Sequence, residues 1–85
     1  MFDLVVLKPA SNRLRRMPVN VAQTIRAKID NVAKNPSAPH NNVQALKGSD
    51  ILRLRVGDWR VLYRLDTETK TMTIIEIRPR GEAYR

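Results

Sequence analysis

The run LRLRVGDWRVLYRL, residues 52 to 65, alternates side chains in steps of two on either side of Gly57-Asp58. A period of two is that of a β-strand, with successive side chains on opposite faces of a sheet. A two-residue connection with Gly first fits a type II′ hairpin turn. Folding there sets Val56 against Trp59, and therefore Arg55 against Arg60, Arg53 against Leu62 and Ile51 against Arg64. A slip of one residue would move every side chain to the other face, so this hairpin dictates the rest of the fold. Leu52, Leu54, Val56, Val61, Tyr63 and Leu65 share one face. Ile51, Arg53, Arg55, Arg60, Leu62 and Arg64 share the other.

The first face is a core surface and needs a cover. Upstream, FDLVVL (2–7) is short, apolar and β-branched, and reads as a buried strand. Lys8-Pro9 ends it, and Pro9 suits the first turn of a helix. Ala10, Leu14 and Met17 then form one helical face, with Arg13, Arg15 and Arg16 largely off it. Met17-Pro18 breaks that helix. In VNVAQTIRAKIDNVAKN (19–35), Val21, Ile25, Ile29 and Val32 form a stripe with helical spacing, and Arg26, Asp30 and Lys34 lie away from it. The basic outer residues of both helices read as a solvated face. NPSAPHNNVQALKG (35–48) is a loop by its Pro, Asn and Gly content, with Val43 and Leu46 pinning it to the core. After the hairpin, Thr71–Ile77 is the last strand.

The order β-α-α-β-β-β predicts an α+β fold. One small domain spans residues 1–85, with an antiparallel sheet and a helix hairpin on one of its faces. A chain of this size buries about 60–65% of its unfolded surface.

The other face has no such structural reason. The last turn is looser; a three-residue loop, Thr67–Thr69, puts Glu76 opposite Arg60, where a carboxylate offsets some repulsion. The exposed face then carries Arg53, Arg55, Arg60, Arg64 and Arg78, with Arg80 and Tyr84 just beyond its end. Like charges directly opposite one another destabilise a sheet. Scattered Lys and Glu would dissolve the face with less repulsion. Net charge is +8, and Arg supplies 11 of 16 basic residues. Arg binds phosphate and carboxylate through a planar fork, so the pattern predicts a bound polyanion.

Other chemistries are poorly supplied. There is no Cys, and the one histidine, His40, lies in the loop and cannot build a metal site alone. No metal or cofactor is expected. No apolar run approaches the ~18 residues of a membrane span, so the expectation is a soluble cytoplasmic protein. Tyr63 has core parity. Trp59, beside the turn, reads as packing at the core edge.

LKGSDILRLRVGDWRVLYRLD (46–66) and IIEIRPRGEAYR (74–85), in this order behind a strand and a helix hairpin, resemble the RelE/ParE superfamily of bacterial type II toxins. The shared features are a leucine-basic-glycine start, a basic pair on alternate positions, a turn followed by aromatic-Arg-Val-Leu-Tyr, and a late Arg-x-x-x-Tyr. The resemblance covers essentially the whole chain. It implies an endonuclease that cuts mRNA in the ribosomal A site by attack of the 2′-hydroxyl on the adjacent phosphate, without metal. It also implies a cognate antitoxin partner in a hetero-oligomer. By position, Arg53 and Arg55 fall where RelE has two functional lysines, Arg60 on its phosphate-stabilising arginine, Arg80 on its catalytic arginine and Tyr84 on its late tyrosine. Arg64 and Arg78 are further phosphate-binding candidates. The first pair departs from the family. Lysine crowded by cations can act as a base; arginine effectively cannot. Tyr84 is then the expected proton acceptor or base-stacking group. Two alternatives remain at this point: a ParE-like DNA gyrase inhibitor, and a basic RNA-binding module without catalysis.

Overall fold

The computed structural model describes residues 1–36, 38 and 40–81. The chain runs β1 (Asp3–Val6), α1 (Lys8–Arg16), α2 (Val19–Lys34), β2 (Val43–Ala45), β3 (Leu52–Val56), β4 (Trp59–Asp66) and β5 (Thr71–Pro79). The strands form a five-stranded sheet in the order β1-β5-β4-β3-β2. The fold class is as expected. One pairing is not: β1 lies parallel to β5, so the sheet is mixed rather than wholly antiparallel.

The helices follow local signals. Pro lies in the first turn of α1, and Arg13, Arg15 and Arg16 occupy its last turn, where cations complement the helix dipole. Met17 is extended, at φ −98° and ψ 162°, as expected of a residue before proline. Ala10 and Leu14 of α1 and Ile25, Ile29, Val32 and Ala33 of α2 are buried against Leu54, Val61, Tyr63, Met72, Ile74 and Ile77 of the sheet. Burial of each larger apolar side chain contributes about 1.5–3 kcal/mol. Tyr63 is 1% exposed, and burial pushes its phenol up to about 12.

The β3–β4 register is the one the hairpin predicts, from Val56 opposite Trp59 to Leu52 opposite Tyr63. Gly57 takes φ +57°, which the first central position of a type II′ turn requires. Three expectations need correction. First, β1 is not buried. It is an edge strand, with Val5, Val6 and Leu7 each at least 40% exposed. Its apolar run looked two-sided, but β5 covers only one of its edges. Second, residues 43–45 form a short edge strand on β3, not loop alone. Third, the β4–β5 connection has four residues, with Asp66 opposite Thr71. The Asp66 carboxylate accepts from the backbone N–H groups of Glu68 and Thr69 at 3.0 and 3.2 Å. Lys70 closes the turn at φ +53°. A bulge then follows, because Leu62 pairs with Glu76 but Tyr63 with Ile74. Ile75 is the extra residue. The bulge restores the phase that lets Met72, Ile74 and Ile77 all reach the core.

Candidate phosphate-binding site

The corrected register changes what meets on the sheet face away from the helices. Arg55 is opposite Arg60, and Arg60 is opposite Arg78, so three arginines lie abreast across three strands. Glu76 is not opposite Arg60; it is opposite Leu62. It still offsets charge, through an ion pair of 2.7 Å to Arg78. The next row reads Gln44, Arg53, Leu62, Glu76. Arg53 donates to the Gln44 side-chain oxygen at 2.6 Å.

Arg60 differs most from expectation. It is 4% exposed, not a solvated side chain. Its Nη1 donates to the carbonyls of Gly57 at 3.2 Å and Trp59 at 3.0 Å, which clamps the guanidinium under the β3–β4 turn. Its Nε is buried without a hydrogen-bond partner. An unsatisfied buried donor costs about 1–3 kcal/mol, more when charged, and a native structure that keeps one needs a reason.

Arg53, Arg55 and Arg60, with Asn41, Asn42 and Gln44, line a cavity of about 110 Å³. It is smaller than the ~300–1,000 Å³ of pockets for drug-sized ligands, and suits one compact group. Its charge and its planar donors suit a tetrahedral oxyanion. Asn41, Asn42 and Gln44 were not singled out from sequence. Asn41-Asn42 reads there only as loop, and a three-residue strand is too short to show alternation. Yet the Arg55 N–H donates to the Asn42 carbonyl at 2.8 Å, which ties the loop to the arginines.

The remaining candidates are spread out. Arg78 adjoins the cavity row but is engaged by Glu76. Arg80 is exposed, and its backbone N–H donates to the Asp58 carbonyl at 2.7 Å, which seats it beside the hairpin turn. Arg64 lies further along β4, outside the cavity, and pairs with Asp50 at 3.2 Å. Tyr84 lies outside the described residues. Among the described residues no three His, Asp or Glu side chains converge, and no helix is long and apolar enough to cross a membrane.

The family model described as ParE toxin of type II toxin-antitoxin systems, parDE, matches residues 4–84. This chain belongs to the RelE/ParE toxins. None of the curated proteins matches the sequence. Among solved structures, the toxin is similar to the archaeal RelE–RelB complex of Pyrococcus horikoshii, with a TM-score of 0.82 at 25% identity over 94% of this chain and 96% of that one. It is similar to the RelBE toxin–antitoxin complex of E. coli, with a TM-score of 0.79 at 18% identity over 93% and 96%. The YoeB/ParE toxin of Agrobacterium tumefaciens gives a TM-score of 0.77 at 20% identity over 92% and 98%. At such identities these likenesses speak for the fold. The chemistry of the toxin rests on its own residues.

Proposed function

We propose that this toxin is a ribosome-dependent mRNA endonuclease, and the observation that carries the reading is the buried Arg60 at the Arg53–Arg55 cavity. The scissile phosphate sits in that cavity. The neighbouring 2′-oxygen bonds to phosphorus as its proton leaves, the P–O5′ bond breaks, and the departing 5′-oxygen takes a proton from water, so a cyclic phosphate and a 5′-hydroxyl result. Arg53, Arg55 and Arg60 stabilise the extra negative charge of the phosphorane. Arg80, seated at the turn by its backbone N–H, adds positive charge for the developing anion. Arginines do not carry protons, so the 2′-proton passes to another group. Tyr84, four residues past Arg80, takes that role or stacks on the base. With no histidine at the cavity, the isolated protein is a slow catalyst. The ribosome supplies the near-attack geometry, and orientation alone is worth several kcal/mol.

The cognate partner is an antitoxin, in a hetero-oligomer. RelE relatives were solved with RelB, and a net charge of +8 calls for an acidic segment over the arginines. Cytoplasmic action follows from the ribosomal target.

The test is induced expression in a bacterial host with primer extension on an abundant mRNA, beside Arg80→Ala and Tyr84→Phe. New translation-dependent cuts, lost with Arg80→Ala and at least about tenfold weaker with Tyr84→Phe, are expected. Unchanged cleavage by Tyr84→Phe would remove its acid–base role. A second reading, gyrase inhibition, is favoured by the ParE description of the matching family. Growth arrest with intact mRNA and broken DNA would establish it. RNA binding without toxicity would instead mark a non-catalytic module.

A further inference from the structure

The β1 edge of the sheet is open. The Asp3 and Leu7 N–H groups donate to the carbonyls of Lys70 and Ile74 at 2.8 and 2.9 Å, so the odd-numbered residues of β1 turn their backbone toward β5. Backbone groups alternate in direction along a strand. Those of Leu4 and Val6 therefore point the other way, where the sheet order places no strand. The stretch is bounded at both ends. The Phe2 N–H donates to the Ala33 carbonyl of α2 at 2.9 Å, and α1 begins at Lys8. Edge strands are normally blunted by Lys, Pro or a bulge. Residues 4–7 contain no Lys or Pro, β1 pairs with β5 in unbroken register, and Val5, Val6 and Leu7 are 44%, 40% and 40% exposed. Charge narrows the choice of partner. Residues 1–7 contain no Lys or Arg and one acid, Asp3, whereas the arginine cavity lies toward the opposite edge of the sheet. An acidic segment is drawn to that edge and not to this one. An apolar strand with almost no charge suits a strand like itself.

We propose that β1 is a self-association edge, on which β1 of a second copy of this chain pairs antiparallel. The outward backbone groups fix the register. Only Leu4 and Val6 are placed to exchange N–H···O bonds with an added strand, so a two-fold arrangement sets Leu4 opposite Val6 of the second copy and Val5 opposite Val5. Main-chain bonds on both sides of the axis then hold the pair, as in strand addition to a sheet edge. Val5 pairs with Thr73 and Leu4 with Met72, a core residue, so the two Val5 side chains meet on the face away from the helices. At each end Asp3 lies opposite Leu7 of the second copy, one residue from its Lys8, and an acid meets a base twice. The two five-stranded sheets become one continuous sheet. The arginine cavities lie toward its outer ends, which keeps their like charges apart.

The experiment is sedimentation velocity of the purified full chain over a series of concentrations, with circular dichroism of each variant to check that it is folded. Wild type is expected to move from 9.8 kDa toward twice that mass as concentration rises. Val5→Lys sets like charges directly opposite each other at the axis and should weaken the dimer at least about tenfold; Val5→Glu should do the same. Mixing these two variants should restore pairing, because opposite charges then meet. Val6→Pro removes an outward N–H, leaves the β1–β5 bonds in place, and should also weaken the dimer. A monomer at every concentration would overturn the proposal, including the case in which an antitoxin strand takes this edge instead. A dimer that survives Val5→Lys and Val6→Pro, or a mixture of the Val5 variants that fails to pair, would overturn it too.

Discussion

At the scale of the residue, Arg60 and Tyr63 show two outcomes of burial. Arg60 faces away from the core and is still 4% exposed, with one donor unpartnered. An apolar residue of similar size removes the buried unpartnered Nε but leaves the Gly57 and Trp59 carbonyls without their donor, two effects that oppose each other. Arg60→Met is therefore expected to unfold within about 1–3 kcal/mol of wild type in urea, while, on the nuclease reading proposed above, mRNA cleavage falls at least about a hundredfold. A large loss of stability would mean that Arg60 serves the fold rather than the site. Tyr63, three positions on, faces the core. Its phenol holds its proton up to about 12, above the roughly 10 of the unfolded chain. The folded state thus binds that proton more tightly, and the stability it contributes is complete below pH ~10 and lost as pH rises toward ~12. Denaturation of wild type and Tyr63→Phe across this range should show the wild type losing stability more steeply, by up to about 1.4 kcal/mol per pH unit. Parallel curves would contradict the burial argument.

At the scale of the element, the β3–β4 hairpin positions the site. Gly57 sits at φ +57°, and a Cβ there would meet nothing within 4 Å. The cost of Gly57→Ala is therefore in the backbone alone, at least about 1–2 kcal/mol, measurable by thermal unfolding. Because the turn carbonyls hold both the Arg60 guanidinium and the Arg80 N–H, the alanine variant should also cleave more slowly than its stability loss explains. The β5 bulge was less legible. Alternation with a three-residue loop placed Glu76 against Arg60, whereas the structure puts Arg78 there. A signal was present: Met72, Ile74 and Ile77 are the apolar positions that reach the core, and the step from two to three marks one inserted residue. Asp66 as an acceptor for two turn N–H groups marks the longer turn. The β1 edge was not legible, since an apolar run of that length fits a central strand or an edge equally.

At the scale of the molecule, the excess of eight positive charges is spread over both layers, and only part of it converges on the cavity. RNA binding should weaken with salt at a logarithmic slope of about −0.7 per phosphate contacted. Arg55→Ala should reduce that slope by about one contact, whereas Arg64→Ala, already paired with Asp50 outside the cavity, should change it less. Equal effects would mean a diffuse basic face and no phosphate site. What the sequence alone determined is the hairpin register, the two helices, the parity of the core, and the opposition of Arg55 and Arg60. These follow from local periodicity and turn chemistry, which act over a few residues. Tertiary structure decided the parallel placement of β1, the bulge, the burial of Arg60, and the approach of Asn41, Asn42 and Gln44 to the arginines. Each depends on which distant segments share an edge or a cavity, and no periodicity within one segment encodes that.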